Sequence, residues 1–333
     1  MPGMGSSYNG RSWGGSSIGR ASRSQCEGWE FDPPPLHFNV AGHRRTEFIP
    51  FHPMKIHTLA IAGVGLIGGS IALAARQRRL AEHIVGVGRR PDALRQAVSQ
   101  GLLHEATGEL AGAARQADLI IFCTPVDGIA DQILAAAPAC KAGALITDAG
   151  STKARIVQAL EGRLPAGVDF VGSHPLAGSE KRGWEHADAA LFQDRLTILT
   201  PGPRTNQQAL ERTTAFWRAL GSRVRVMDPD RHDQALAMTS HLPHLAAAAL
   251  AGILPPELAE LTATGFRDTT RVASGDPGLW TAIFQENQAG VLTALDRLRE
   301  RLLGLRGLLE SGDWVALQEE LAQAKKVRDA LGN

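Results

Sequence analysis

The sequence predicts an α/β, Rossmann-type nucleotide-binding domain followed by an all-α C-terminal domain. Three observations predict it. Residues 58–75 read TLAIAGVGLIGGSIALAA: an apolar run, then Gly63, Gly65 and Gly68 in Gly-x-Gly-x-x-Gly spacing, then an Ala-rich helical run. From residue 54 to 228, short apolar runs alternate with helical segments. Beyond 228 only helical patterning remains. The expected organisation is a Gly/Ser/Pro-rich extension over 1–53, a dinucleotide-binding domain over 54–228, and a helical substrate and dimerisation domain over 229–333.

Residues 1–53 open with MPGMGSSYNGRSWGGSSIGR and later carry Pro33, Pro34 and Pro35. No helical or strand period runs through them, so they cannot bury enough surface to offset the entropy of ordering. They are read as a disordered extension, with Met54 as the alternative start of a complete domain. The stretch lacks the apolar core of a secretory signal, and its acid-poor, Arg- and Ser-bearing opening leaves a transit peptide open.

The glycines come next. An apolar strand delivers the chain to a tight turn at Gly63, Gly65 lets a pyrophosphate approach the backbone, and Gly68 lets the following helix pack close. The helix N-terminus offers free N–H groups and partial positive charge. The cofactor-binding set is therefore Gly63, Gly65, Leu66, Ile67 and Gly68, joined by Thr124 and Pro125 at a later strand end. The second strand, in HIVGVGRRP (83–91), normally closes on an acid that binds the ribose 2′-hydroxyl. Here Gly88 is followed by Arg89 and Arg90, and no acid appears until Asp92. Guanidinium groups suit a 2′-phosphate. NADP is favoured over NAD; if both arginines are simply solvated, either cofactor serves.

Further strands are expected in ADLIIFCTP (117–125), GALITDA (143–149), VDFVG (168–172), LTILT (196–200) and VRVM (224–227). Continuous apolar strands separated by helices imply a sheet buried on both faces. Ligands in such folds lie beyond the C-terminal strand ends. That rule selects three loops: CTPV (123–126), DAGSTK (148–153) and GSHPLAGSE (172–180).

In the helical part, Val291, Leu295, Leu298, Leu302, Leu305 and Leu309 recur four and three apart. This is one helical stripe, fitting either an internal core or a dimer seam. The amphipathic segment WVALQEELAQA from Trp314 follows, with no internal repeat, and no regulatory domain is expected after it.

Composition bounds the function. The chain has 333 residues and a net charge of +1, which argues against nucleic-acid and membrane-surface partners. Its three cysteines, Cys26, Cys123 and Cys140, lack metal-ligand spacing and suit a reducing cytoplasm, and Cys123 and Cys140 read as small core residues. No apolar run approaches the roughly 18–20 residues of a membrane span. No metal site is expected.

His174 stands at a strand end and offers an imidazole suited to proton transfer near neutral pH. SHLPH places His241 and His244 about one helical turn apart, with Pro243 marking a bend or a helix start. GFRDTTR carries Arg267 and Arg271; Arg can clasp a carboxylate bidentately, or pair with Asp268 or Asp276.

Taken together, GVGLIGGS, CTPV, DAGSTK, GSHPLAGSEKRGW, SHLPH and GFRDTTRVASGDP resemble, in this order, the prephenate/arogenate dehydrogenase family of tyrosine biosynthesis. The resemblance covers about residues 54–333. It implies a nucleotide-binding domain, an all-helical dimerisation domain and a homodimer, with oxidative decarboxylation of a cyclohexadienol. It implies His174 as the catalytic histidine facing the substrate 4-hydroxyl and Ser151 as its helper. Arg271 becomes the carboxylate anchor, His241 and His244 a pair beside the substrate, and Glu180 an acid near the entrance. Prephenate is favoured over arogenate, because His244 and Lys181 add donors. Two other classes stay open. A β-hydroxyacid dehydrogenase or imine reductase shares the layout, although no Lys lies between 228 and 321. A cofactor sensor would bind without turnover.

Overall fold

Period-two alternation builds the sheet. In β1 (Ile56–Ala62), Leu59 and Ile61 enter one apolar layer while Ala60 and Ala62 enter the other. β4 (Leu119–Phe122) repeats the pattern, with Leu119 and Ile121 on the first face and Ile120 and Phe122 on the second. Successive side chains of a strand point to opposite faces, so a run apolar at every position must be covered on both. Each such Leu or Ile contributes about 1.5–3 kcal/mol on full burial.

The computed structural model describes residues 56–179 and 181–332. The expectations for residues 1–53, for Met54, for Cys26 and for Glu180 lie outside the described residues. In chain order, β1 is followed by α1 (Leu66–Gln77), β2 (Ala81–Val87), α2 (Pro91–Ser99), β3 (Glu105–Thr107), α3 (Leu110–Gln116) and β4. Then come α4 (Ile129–Ala136), β5 (Leu145–Asp148), α5 (Ala154–Leu160), β6 (Asp169–Pro175), β7 (Leu196–Thr200), α6 (Gln207–Ala219) and β8 (Arg223–Val226). The strands order β3-β2-β1-β4-β5-β6-β7-β8. All neighbours run parallel except β6 and β7. Strand order reverses between β1 and β4, and the crevice beyond their C-terminal ends is where such sheets take ligands.

Two features depart from the sequence expectation. β3 is a three-residue Glu-Ala-Thr edge strand with no apolar run to announce it. His174, expected just past a strand, lies inside β6. Parallel pairing with β5 ends at Val171, but β7 continues the ladder antiparallel, pairing Gly172 with Thr200 and His174 with Ile198. Non-local pairing therefore lengthens the strand and fixes the histidine's backbone.

The second half is helical: α7 (Pro229–Leu236), α8 (Leu242–Gly252), α9 (Thr264–Thr270), α10 (Pro277–Glu286), α11 (Gln288–Ser311) and α12 (Trp314–Ala330). Asp228 caps α7 by accepting from the Arg231 N–H, and Pro229 opens it. Ala282 and Ile283 of α10 pack into the sheet layer that holds Ala62, Phe122 and Ile129. The stripe on α11 divides. Val291 is buried and Leu298 packs against Ala237, Leu242 and Ala294, whereas Leu302 and Leu309 are 56% and 55% exposed.

Candidate active site

The glycine turn opens on a cavity of about 920 Å³ at the β1/β4 crevice. Gly63 adopts φ +94°, and a side chain there would strike the Cys123 carbonyl at 2.7 Å. Only glycine satisfies both the left-handed backbone and this approach of two strand ends. At Gly65 an added Cβ would meet nothing within 4 Å, so the chain leaves open space in front of the α1 N-terminus. That N-terminus has no side-chain cap and no acid in its first turn. Its unpaired N–H groups and dipole suit a phosphate. Thr124 Oγ1 is buried without a partner in the same wall. An open cradle, an orphaned hydroxyl and free helix N–H groups fit a dinucleotide.

Arg89 and Arg90 line the far end of this cavity. Neither has an ion-pair partner among the described residues, and Asp92, the first acid after them, pairs with Arg95. The backbone does not force Gly88, since a Cβ there would make only ordinary contact with Leu94 at 3.6 Å. Gly63, Gly65, Thr124 and Pro125 also line the cavity, whereas Leu66, Ile67 and Gly68 do not. Leu66 and Ile67 form the first turn of α1, and Gly68 faces the Gly63 carbonyl. Cys123, expected as a core residue, is half-buried and lines the cavity too. Burial raises its thiol pKa, with Asp148 adding to the effect.

Beyond β5 and β6 lies a buried polar network. His174 Nδ1 meets His232 Nε2 at 2.9 Å, and His232 Nδ1 meets Asp233 Oδ1 at 2.7 Å. Asp233 also accepts the backbone N–H groups of Lys153 at 2.8 Å and Ala154 at 2.9 Å. This ties α7 to the loop that carries Ser151, itself half-buried. Lys153 and Asp148 form an ion pair with both side chains at 0% exposure. Asp148 further accepts from the N–H groups of Gly150 and Ser173. Burial holds the His174 pKa well below the imidazole range; the neighbouring His232, Lys153 and His241 push the same way. His174 is therefore neutral at physiological pH.

The helical half supplies the opposite wall. Residues 237–241 form a π-helical turn, and α8 begins at once, with Pro243 in its first turn. π-turns often mark functional sites. Asn287 donates from Nδ2 to the Asp233 carbonyl at 2.7 Å and to His241 Nδ1 at 3.2 Å. His241 is 1% exposed, and burial pushes its pKa down to about 4. His244 stacks on Trp280 with ring centroids 3.6 Å apart, and the His241 ring lies 6.3 Å from the same indole. The two histidines thus share one face, as their spacing predicted. Gly275, just after the turn carrying Arg271, approaches both Trp280 and His244. Arg271 is exposed and without an ion-pair partner among the described residues; Asp276 pairs instead with Arg182.

Sequence reasoning missed His232, Asp233, Lys153, Asn287 and Trp280. The His-Asp pair in DRHDQ sits inside a helix where both residues look like ordinary surface polars, and only burial reveals them. Lys153 had a usable signal, since it closes the DAGSTK loop five residues after Asp148.

Residues 71–226 match the family model for the prephenate dehydrogenase nucleotide-binding domain, and residues 228–323 match that for its dimerization domain. A cyclohexadienyl dehydrogenase from Zymomonas mobilis is 36% identical over 281 residues, spanning 82% of this chain and 95% of the relative. The chain belongs to the prephenate dehydrogenase family. Two solved members of the prephenate and arogenate dehydrogenases share its fold. Prephenate dehydrogenase from A. aeolicus, in complex with hydroxyphenyl propionate and NAD+, superposes with TM-score 0.79 at 32% identity, covering 84% of this chain and 99% of that one. Synechocystis arogenate dehydrogenase gives TM-score 0.70 at 31% identity, covering 82% and 99%. Among the described residues no helix is long and apolar enough to cross a membrane, and no group of three or more His, Cys, Asp or Glu could hold a metal.

Proposed function

We propose that this protein is an NADP-using prephenate dehydrogenase that converts prephenate to 4-hydroxyphenylpyruvate and CO₂. The observation that carries the reading is the neutral His174 imidazole, held by its Nδ1 in the buried network while its Nε2 has no hydrogen-bond partner among the described residues. A dehydrogenase acting on an alcohol carbon needs a proton acceptor at the hydroxyl and an orienting clamp on the rest of the substrate. His174 Nε2 takes the 4-hydroxyl proton as hydride leaves C4, with Ser151 orienting that hydroxyl. The nicotinamide ring, when bound, supplies the hydride acceptor. The ring carboxylate leaves as CO₂, its electron pair completes the aromatic ring, and the proton returns from His174 to the phenol oxygen. Arg271 clasps the side-chain carboxylate, beside His241 and His244.

Three finer points belong to this reading. Arg89 and Arg90, with no ion-pair partner among the described residues, hold the 2′-phosphate of NADP. The chain divides near 228/229, where the last strand gives way to helices, and acts in the cytoplasm. It pairs as a homodimer through the helical domain, whose exposed Leu302, Leu303 and Leu309 would otherwise face water. The related arogenate dehydrogenase of Synechocystis keeps arogenate as the second substrate to test.

The decisive assay is a matrix of prephenate and arogenate against NADP and NAD, read as kcat/KM. Prephenate with NADP should lead. A preference for NAD above about tenfold, or ~1.4 kcal/mol, removes the assignment of Arg89 and Arg90. His174→Asn should lower kcat by about 10²-fold or more while cofactor affinity is kept. A near-normal rate would exclude His174 as the proton acceptor.

A further inference from the structure

We infer that His232 and Asp233 are positioning residues that set the ring tautomer of His174, so that Nε2 and not Nδ1 carries the lone pair offered to substrate. The inference rests on the reading of His174 as proton acceptor, and it follows from the directions of three hydrogen bonds. Asp233 is 5% exposed and its carboxylate accepts from every partner it meets: the Lys153 N–H, the Ala154 N–H and His232 Nδ1. His232 Nδ1 is therefore a donor. A neutral imidazole has one donor and one acceptor nitrogen, so His232 Nε2 accepts. Its partner at 2.9 Å, His174 Nδ1, must then carry the hydrogen. The remaining nitrogen of His174, Nε2, is left with its lone pair.

The alternative, a hydrogen on His232 Nε2 pointing at a bare His174 Nδ1, would make His232 a cation. In that arrangement His174 Nδ1 would be the acceptor and the hydrogen of a neutral His174 would sit on Nε2, the outcome the spectra below separate. The edge-on contact of the rings, with centroids 5.1 Å apart at 68°, suits a single N–H···N bond. Asp233 has a second effect. By accepting the N–H groups of Lys153 and Ala154 it anchors the loop bearing Ser151 to the helix that holds His174 in register. The two groups that face the substrate hydroxyl are thus fixed to one carboxylate. Histidine rings are routinely oriented this way by the bond made at the other nitrogen.

The test uses the full-length enzyme and His232, because Asp233 also anchors a loop. His232→Phe keeps volume but offers His174 no acceptor; His232→Gln restores one through its amide oxygen. In His232→Phe, kcat should fall on the order of 10²-fold, the share ordinarily supplied by a well-placed base. KM for substrate and cofactor should stay within about threefold, since neither binds this nitrogen. His232→Gln should regain most of the loss. Independently, long-range ¹H–¹⁵N spectra of histidine-labelled wild-type protein should show His174 protonated at Nδ1. A wild-type kcat in His232→Phe, or His174 protonated at Nε2 in the wild type, overturns the inference. The spectra need no turnover, so a chain inactive on prephenate yet protonated at His174 Nδ1 upholds the tautomer while refuting the proposed reaction.

Discussion

Lys153→Met isolates the energetics of the site's foundation. The Lys153–Asp148 pair lies between β5 and α5 with neither side chain exposed to water. Methionine matches the length and volume of the lysine stem, so the substitution removes charge with little change in packing. It leaves Asp148 as a carboxylate with no cation beside it. Breaking a buried pair from one side costs about 3–5 kcal/mol, because the surviving charge is uncompensated. Asp148 keeps the Gly150 and Ser173 N–H donors, which solvate it in part. The expected loss is therefore about 3 kcal/mol, at the lower end of that range. Equilibrium urea unfolding at one fixed protein concentration measures it, because the proposed dimerisation would make stability depend on concentration. Adding Asp148→Asn to Lys153→Met should recover about half of the loss or more, since neutralising both partners removes the stranded charge. A single variant within about 0.5 kcal/mol of wild type would refute the reasoning: Asp148 would then have another source of charge compensation.

Gly65→Ala should weaken dinucleotide binding measured by fluorescence titration while leaving unfolding unchanged, because its Cβ enters only the open cradle; equal affinity would deny a phosphate there. Gly68→Ala should instead lower the melting temperature, since its Cβ would fall 2.2 Å from the Gly63 carbonyl oxygen. Folded His241 has a pKa of about 4 against an ordinary 6.5, so the unfolded chain binds the extra proton between those values. Stability should thus be full above pH 6.5 and fall toward pH 4, by about 3 kcal/mol from this group alone. His241→Gln, whose amide oxygen can still accept from Asn287, should flatten that slope in urea titrations across the window. An unaltered slope would place the proton elsewhere. Leu302→Glu puts a charge on the exposed part of the α11 stripe and should shift the protein from dimer to monomer in sedimentation velocity; an unchanged dimer would move the seam off that face.

The amino-acid sequence alone determined the parts of this protein that depend on near neighbours. The strand, Gly63, Gly65, Gly68 and the following helix form within about twenty residues, so their geometry is written locally. A buried strand such as β4 is legible because every position is apolar, and the α11 stripe because its period is helical. The SHLPH segment likewise foretold two histidines on one face. Tertiary structure decided what distant partners supply. β3 exists because β2 offers its free edge, not because Glu-Ala-Thr favours a strand. β6 runs on through His174 because β7 returns antiparallel from more than twenty residues downstream. His232 and Asp233 become site residues only when α7 docks beside β6, 58 positions after His174. A polar residue on a helix has no local mark of burial. Its role is fixed by which charges, donors and lone pairs the fold brings against it.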